Sequence, residues 1–471
     1  MKTSSLIGHV VEVLEQVHQG RRPADAVVKQ FLRARHYLGS SDRRYIADRT
    51  FAILRHHMLL NVYTAEALAA LRVPAMSVPA MSVPAMPVPA MPVPAMPVPA
   101  MPAPYPPVMM AAAYEIRCAE HPGADPLAEF DPVWRPLLPD IECAAFLESV
   151  RTVQIPDDIV NDEERFLAVR TSLPQFVVRE WRTRYGREGS RALCETMNAP
   201  APICIRVNTL KCTVGQCREA LAQEGITAQP TDLSPSGLVL AKRINAQGLL
   251  SFKQGWFEMQ DEGSQLLSLL AEVGPDMTVI DACAGGGGKS LHLAALMQNR
   301  GRIIAVDVDR LKLNNVAERG ARAGATIVAP LAASADAPPE ELRDLRADVV
   351  LVDAPCSGTG TFRRSPWLKL NLTEEGVHAL ARTQRELLER YAGFVAPGGR
   401  LVYSTCTLLS EENQSVIESF LRDHPDFTPL PACAILARQG IRLEGQDPWL
   451  ELLPSRTATD GFFGAVMVRS S

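Results

Sequence analysis

The sequence predicts a multidomain protein, an all-α N-terminal domain followed by an α/β domain built on a parallel, doubly wound sheet. Three observations predict it. Apolar residues recur at helical spacing through residues 5–72. A proline-dense tandem repeat then breaks that pattern. From about residue 256 to the C-terminus, strand-like apolar runs alternate with helical stretches, the pattern of strand–helix–strand units. A chain of 471 residues also exceeds what one ordinary core accommodates.

The elements follow in order. Leu6, Val10, Leu14 and Val17 fall on one helical face, and Ile46, Phe51, Ile53 and Leu54 do so more loosely. Ser40-Ser41-Asp42 before the second run reads as a helix N-cap. Residues 73–102 are six copies of Val-Pro-Ala-Met-Ser or Val-Pro-Ala-Met-Pro. Proline at that density removes backbone donors and fits neither helix nor sheet interior. The repeat is therefore expected to be an extended, disordered insertion that folding would not need. Helical pattern resumes over Val108–Ala119, so the repeat interrupts a helical domain spanning 1–145 instead of separating two domains. Residues 146–255 read as a helical linker and a small α/β subdomain, with strands at Ile203–Val207 and Gly237–Ala241 around a helix at Val214–Glu224. Residues 256–471 form the last domain, with strands at Thr278–Asp281, Arg302–Val306, Ala347–Asp353, Arg400–Ser404 and Phe462–Val468 and a helix at Thr373–Phe394.

Composition excludes several classes. No apolar run reaches the roughly 20 residues of a membrane helix, and the N-terminus lacks the unbroken apolar stretch of a signal peptide. A cytoplasmic protein with no membrane partner, acting as a monomer, is expected. The 10 cysteines are scattered and contain no Cys-x-x-Cys pair, so no metal site is expected. The net charge of −5 does not advertise nucleic-acid binding, although a local basic face can hold phosphates. Arginines 170, 179, 182, 184, 187 and 191, and a second group at 33, 35, 43 and 44, are candidates for such a face. Each also reads as an ordinary solvated helix face.

Three segments carry the chemistry. In the first, the strand ending at Asp281 runs into Ala282, Cys283, Ala284, Gly285, Gly286, Gly287 and Gly288, and a helix opens at Lys289 or Ser290. Glycines let backbone turn sharply and approach a ligand closely. The next strand ends at Asp307, where a carboxylate can bind ribose hydroxyls. A phosphate-binding loop is the competitor, because Gly288-Lys289-Ser290 could end one. It requires glycine five positions before Gly288, and Cys283 stands there. The second segment is Asp353-Ala354-Pro355-Cys356-Ser357-Gly358, followed by Arg363 and Arg364. The third ends a strand at Thr405-Cys406 and continues to Glu411, Glu412 and Asn413. In a parallel sheet these ends share one edge, where ligands bind. Two thiols, a carboxylate and a cofactor loop therefore converge.

These segments resemble the Sun/Fmu and NOL1/NOP2 group of RNA cytosine-5 methyltransferases. The family's Asp-x-Cys-Ala-Ala-Pro-Gly-Gly-Lys-Thr is matched by Asp281 to Ser290, with Gly285-Gly286 replacing Ala-Pro and Ser290 replacing Thr. The Asp-Ala-Pro-Cys-Ser-Gly motif matches at 353–358 without change, and the Thr-Cys motif at 405–406. Arg206 to Lys211, Gln260 to Gln265 and Asp460 to Phe463 are similar to further family segments. Trp367 departs from the pattern, which usually has Asp there. Residues 20–46 resemble, more distantly, the NusB-like helical domain of bacterial ribosomal small-subunit members.

The resemblance implies a Rossmann-like methyltransferase domain, an RNA-binding role for the small subdomain, and S-adenosylmethionine as cofactor. It implies that Cys283 to Lys289, Asp307, Asp353 and Asp336 bind the cofactor, with Asp336 as a further acidic contact. It implies Cys406 as nucleophile, Cys356 as the thiol assisting release, and Asp353 as a contact to the target base. Cytosine C5 is a poor nucleophile toward a methyl sulfonium, and a thiolate adding to C6 makes it an enamine that can attack. Small-subunit ribosomal RNA is the expected substrate. Transfer RNA remains an alternative acceptor, and a non-catalytic RNA-binding or ribosome assembly factor of the same fold remains an alternative class.

Overall fold

The computed structural model describes residues 1–19, 22–73, 105–120, 125–334, 337–443 and 448–471. The repeat beyond Val73, and Asp336, lie outside the described residues. The chain divides into two compact units. One takes in the described residues up to Ala199 together with Phe362–Thr373. The other takes in Pro200–Thr361 and Glu374–Ser471.

The first unit is helical. The helix Thr3–Gln19 buries Leu6, Val10 and Leu14 in the core, as their spacing predicts. The helix Ser40–Arg55 starts one residue earlier than the sequence suggests: Gly39 is its N-cap, and Asp42, inside the first turn, accepts from the Gly39 amide at 3.3 Å. A side chain one turn in can satisfy a free N-terminal donor as a preceding cap would. The helices Glu163–Thr171 and Gln175–Met197, read from sequence as a linker, belong to this unit. The Ser172 hydroxyl accepts from the Met58 amide at 3.0 Å and ties their junction to the N-terminal helices.

Both arginine groups have structural partners here. Arg43 donates to the carbonyls of Leu32, Leu38 and Arg35 at 2.6, 2.9 and 2.9 Å, closing the turn between two helices. Arg179, Arg182 and Arg191 pair with Glu164, Glu163 and Glu195. Trp367 packs its ring against Phe51, with centroids 5.8 Å apart. Lys369 is buried, and its Nζ donates to the Thr171 carbonyl and to Asn198 Oδ1, both at 2.9 Å. Burial holds that amine well below its usual range.

The second unit holds two sheets. The smaller one is antiparallel, with β1 (Ile203–Val207), β2 (Ala228–Pro230), β3 (Gly237–Leu240) and β4 (Phe257–Met259) in the order β2-β3-β1-β4. The larger comprises β5 (Thr278–Asp281), β6 (Arg302–Asp307), β7 (Val328–Ala332), β8 (Ala347–Asp353), β9 (Val395–Thr405), β10 (Phe427–Leu430), β11 (Leu450–Leu452) and β12 (Phe462–Arg469). Its order is β10-β12-β9-β8-β5-β6-β7, with β11 on β12.

Strands β5 to β9 are mutually parallel where they pair. The residues of β5, β6, β8 and the C-terminal half of β9 are mostly buried, which explains their continuous apolar runs, whereas the edge strand β7 has exposed central residues. Val279, Val349 and Leu351 enter a core with the helix Gly288–Leu296, and Ile280, Val350 and Val352 enter another with the helix Glu374–Ala392. The expectation of a wholly parallel sheet is corrected at its far edge, where β12 runs antiparallel to β9, β10 and β11. Between β11 and β12 there is only a one-turn helix, Pro454–Thr457. A parallel crossover needs a dozen or more residues, whereas an antiparallel return does not.

The chain runs outward from β5 to β6 and β7, then re-enters beside β5 as β8. That reversal opens a crevice at the carboxyl ends of β5 and β8, where ligands bind in such sheets.

Candidate active site

Each chemical segment leaves the carboxyl end of one strand of this crevice. The glycine loop follows β5. Its Ala284 amide donates to the Val306 carbonyl at 2.9 Å, and its Gly285 amide donates to Asp307 Oδ2 at 2.8 Å. The other Asp307 oxygen accepts from the Asp309 amide at 2.8 Å. The carboxylate at the end of β6 thus fixes both the glycine loop and the start of the next helix. Gly285 and Gly287 have φ of +54° and +80°, a region that L-residues rarely adopt. A Cβ on Gly287 would also press on Val316 at 3.1 Å. By contrast, a Cβ at Gly285 or Gly288 would meet nothing within 4 Å, so the loop faces open space.

That open cradle, the helix N-terminus at Gly288 and a carboxylate at the end of the adjacent strand fit a nucleoside cofactor. Gly285 and Gly288 open onto that space, and Asp307 fixes the loop beside it. Burial and the neighbouring carboxylates push the Cys283 thiol up, so it sits in the loop as an inert neutral group.

Lys289 does not project into open space. Its Nζ donates to Asp353 Oδ2 at 2.6 Å, and Ser404 donates to Asp353 Oδ1 at 2.8 Å. Three strand ends are therefore joined through one carboxylate: the loop after β5, the end of β8 and the end of β9. Deeper in, Asp281 accepts from Ser290 Oγ at 2.6 Å, and its other oxygen has no partner. Burial pushes its pKa up to about 7.

The two thiols meet. Cys356 Sγ and Cys406 Sγ lie 3.3 Å apart, both free, and the Cys406 amide approaches Cys356 Sγ at 3.4 Å. The hydrogen bond to Cys406, then burial, raises the Cys356 thiol well above its usual range.

Sequence reasoning gave no role to the group that sets this spacing. Glu412 is buried and accepts from the Ser357 amide at 2.8 Å, from Gln384 Nε2 at 2.9 Å and from Thr407 Oγ1 at 2.9 Å, as well as from the Ser357 hydroxyl. It thereby links the residue after Cys356 to the residue after Cys406. Nothing in Ser410-Glu411-Glu412-Asn413 distinguishes it from its half-buried neighbour Glu411. Gly360 adds a second link, since its amide donates to the Cys406 carbonyl at 3.0 Å and its carbonyl accepts from the Gly461 amide at 2.7 Å. Among the described residues, no group of three or more potential ligands could hold a metal ion, and no helix is long and apolar enough to cross a membrane.

Comparisons with known proteins place this site in a family. Residues 268–468 match the model of the 16S rRNA methyltransferase RsmB/F family, and residues 173–247 match its ferredoxin-like domain. The chain is 36% identical over 318 residues to a probable ribosomal RNA small subunit methyltransferase B of Bacillus subtilis, covering 67% of this chain and 71% of that one. It is 31% identical to the ribosomal RNA small subunit methyltransferase B of Pseudomonas putida, covering 66% and 70%. A solved methyltransferase homologue from Pyrococcus horikoshii is 26% identical, with a TM-score of 0.55 over 67% of this chain and 99% of that one. With the paired thiols, the Asp353 junction and the glycine cradle in place, these matches establish that the chain belongs to the RsmB/F family of methyltransferases.

Proposed function

We propose that this protein transfers a methyl group from S-adenosylmethionine to carbon 5 of a cytosine in small-subunit ribosomal RNA. The observation that carries the reading is the pair of thiols 3.3 Å apart at the ends of adjacent strands, beside Asp353. The names of the relatives support ribosomal RNA as the acceptor, and the helical first unit would serve as a NusB-like RNA-side domain. Cys283 to Lys289 and Asp307 would hold the cofactor, which would supply an electrophilic methyl group.

The chain's own residues do the rest. Cys406 adds as thiolate to C6, and the electron pair displaced from the C5–C6 bond makes C5 the nucleophile. Cys356, kept protonated by its surroundings, sits with its sulfur 3.3 Å from that of Cys406. Asp353, with Lys289 on one oxygen and Ser404 on the other, is fixed in one orientation for contact with the base edge. After C5 takes the methyl group, loss of the C5 proton to a base lets the S–C6 bond break and returns the thiolate. Cys356 is the group placed to assist that release.

The test uses two substitutions and one gel. Cys406→Ala should abolish both methylation and any covalent protein–RNA adduct. Cys356→Ala should form the adduct and fail to resolve it, leaving a cross-link stable to denaturing electrophoresis. Reversed phenotypes would make Cys356 the nucleophile. Bisulfite sequencing of RNA from cells lacking the gene identifies the acceptor: a lost mark in transfer RNA moves the substrate, and unchanged marks in every RNA favour a binding factor.

A further inference from the structure

Four consecutive glycines, Gly285 to Gly288, form the cofactor cradle, and glycine loses more conformational freedom on ordering than any other residue. A loop of that composition needs to be held from outside. One side chain does this at the middle of the run. Arg319, on the helix Arg310–Ala323, donates through Nη1 to the Gly286 carbonyl. The remaining edge of the same guanidinium is clamped: Nε and Nη2 donate to Glu258 Oε2 at 3.2 and 3.0 Å. Glu258 is buried on β4 of the smaller sheet, and its other oxygen takes Arg322. The guanidinium also fills the space beside Gly286, where a Cβ would lie 3.1 Å from Arg319 Nη1.

We infer that Arg319, oriented by Glu258, is the positioning residue that holds the glycine loop in its cofactor-binding conformation, a role that rests on the reading of this loop as the S-adenosylmethionine cradle. The planar fork suits the task, because it satisfies a carbonyl and a carboxylate at once in fixed geometry. The arrangement ties the loop after β5 to the small antiparallel sheet, so cofactor affinity depends on a carboxylate that lies outside the large sheet. Arg322 provides an internal control. It shares Glu258 but makes no hydrogen bond to the loop. Loss of Arg319 leaves Glu258 paired with Arg322, so the buried carboxylate is not stranded.

The experiment measures S-adenosylhomocysteine binding to the full chain by calorimetry, for wild type, Arg319→Met and Arg322→Met, with amide exchange over residues 282–290 as a second readout. Arg319→Met should weaken binding about tenfold or more, the effect of one charge-assisted hydrogen bond, and speed exchange in the loop. Arg322→Met should leave both close to wild type. In steady-state turnover, Arg319→Met should raise KM for the methyl donor more than it lowers kcat. Arg319→Lys serves if the methionine variant folds poorly: the ammonium keeps the charge but lacks the planar fork that reaches Gly286 through Nη1 while Nε and Nη2 hold Glu258, so binding should weaken in a folded protein. Equal binding by wild type and both Arg319 variants overturns the inference. So does a parallel loss in the Arg319 and Arg322 variants, which would make Glu258 merely structural. A wild type that does not bind S-adenosylhomocysteine overturns the cofactor reading itself, and the inference falls with it.

Discussion

Asp281 offers a sharp physical test of the site, because the structure gives its charge an unusual environment. Its carboxyl lies wholly inside the sheet, with one hydrogen bond from Ser290 and one oxygen without a partner. Burial raises its pKa from 3.8 to about 7. A raised acid contributes stability that is fully present below the unfolded pKa and is lost as pH rises through the folded one. The window therefore runs from about pH 4 to about pH 7. At about 1.4 kcal/mol per pKa unit, the whole span is on the order of 4 kcal/mol.

Asp281→Asn removes the titration and keeps an oxygen for the Ser290 hydroxyl. Its amide nitrogen faces the partnerless side, at a pH-independent cost of about 1–3 kcal/mol. Equilibrium urea unfolding of both proteins across the range gives the difference in stability, in which titrating groups remote from Asp281 cancel. The advantage of wild type over the variant should shrink by about 3 kcal/mol between about pH 5 and pH 8. A difference that stays constant over that range would refute the argument that burial sets this charge.

Two further outcomes follow from the links between the thiol loops. Glu412→Leu strands the Ser357 amide and one Gln384 N–H, while the hydroxyls of Ser357, Thr359 and Thr407 can pair with one another at 2.9 Å. The expected loss is roughly 2–6 kcal/mol together with methyl transfer. Glu412→Gln, whose carbonyl can take both N–H groups, should retain most of each, and urea unfolding with a methyl-transfer assay checks both variants. Gly360→Ala places a Cβ 2.1 Å from the Gly461 carbonyl oxygen and 2.8 Å from that of Cys406. Those neighbours are backbone, so the thiol loops must separate, and methyl transfer should fall by up to about a hundredfold with circular dichroism unchanged. Wild-type turnover in that variant would mean that the thiol spacing tolerates a displaced loop.

The amino-acid sequence by itself determined the strands and the chemistry at their ends. Runs such as Val349–Val352 are apolar without interruption because helices cover both faces of the sheet. The motifs at Asp281, Asp353 and Thr405 sit where such strands end, so the glycine cradle, the Asp353 carboxylate and both cysteines were legible from local pattern. The short strands β2, β4, β7, β10 and β11 were not. β2, β7 and β10 each contain a proline, which argues against a strand in sequence, and β4 and β11 have only three residues each, too few to establish a period. The antiparallel return of β12 depended likewise on the length of its connection.

Only the tertiary structure decided which polar side chains serve the site. Glu258 and Arg319 are 61 residues apart, and Ser357 and Glu412 are 55 apart, so no local window relates them. An acid such as Glu258, between Phe257 and Met259, or Glu412, beside Glu411, carries no mark in sequence of whether it will be buried. That is fixed when the sheet closes and its neighbours become donors. By resemblance Lys289 belongs with the cofactor loop, and the fold pairs it with Asp353, because the helix it opens follows β5 and Asp353 ends the neighbouring β8, where opposite charges in a half-buried crevice attract.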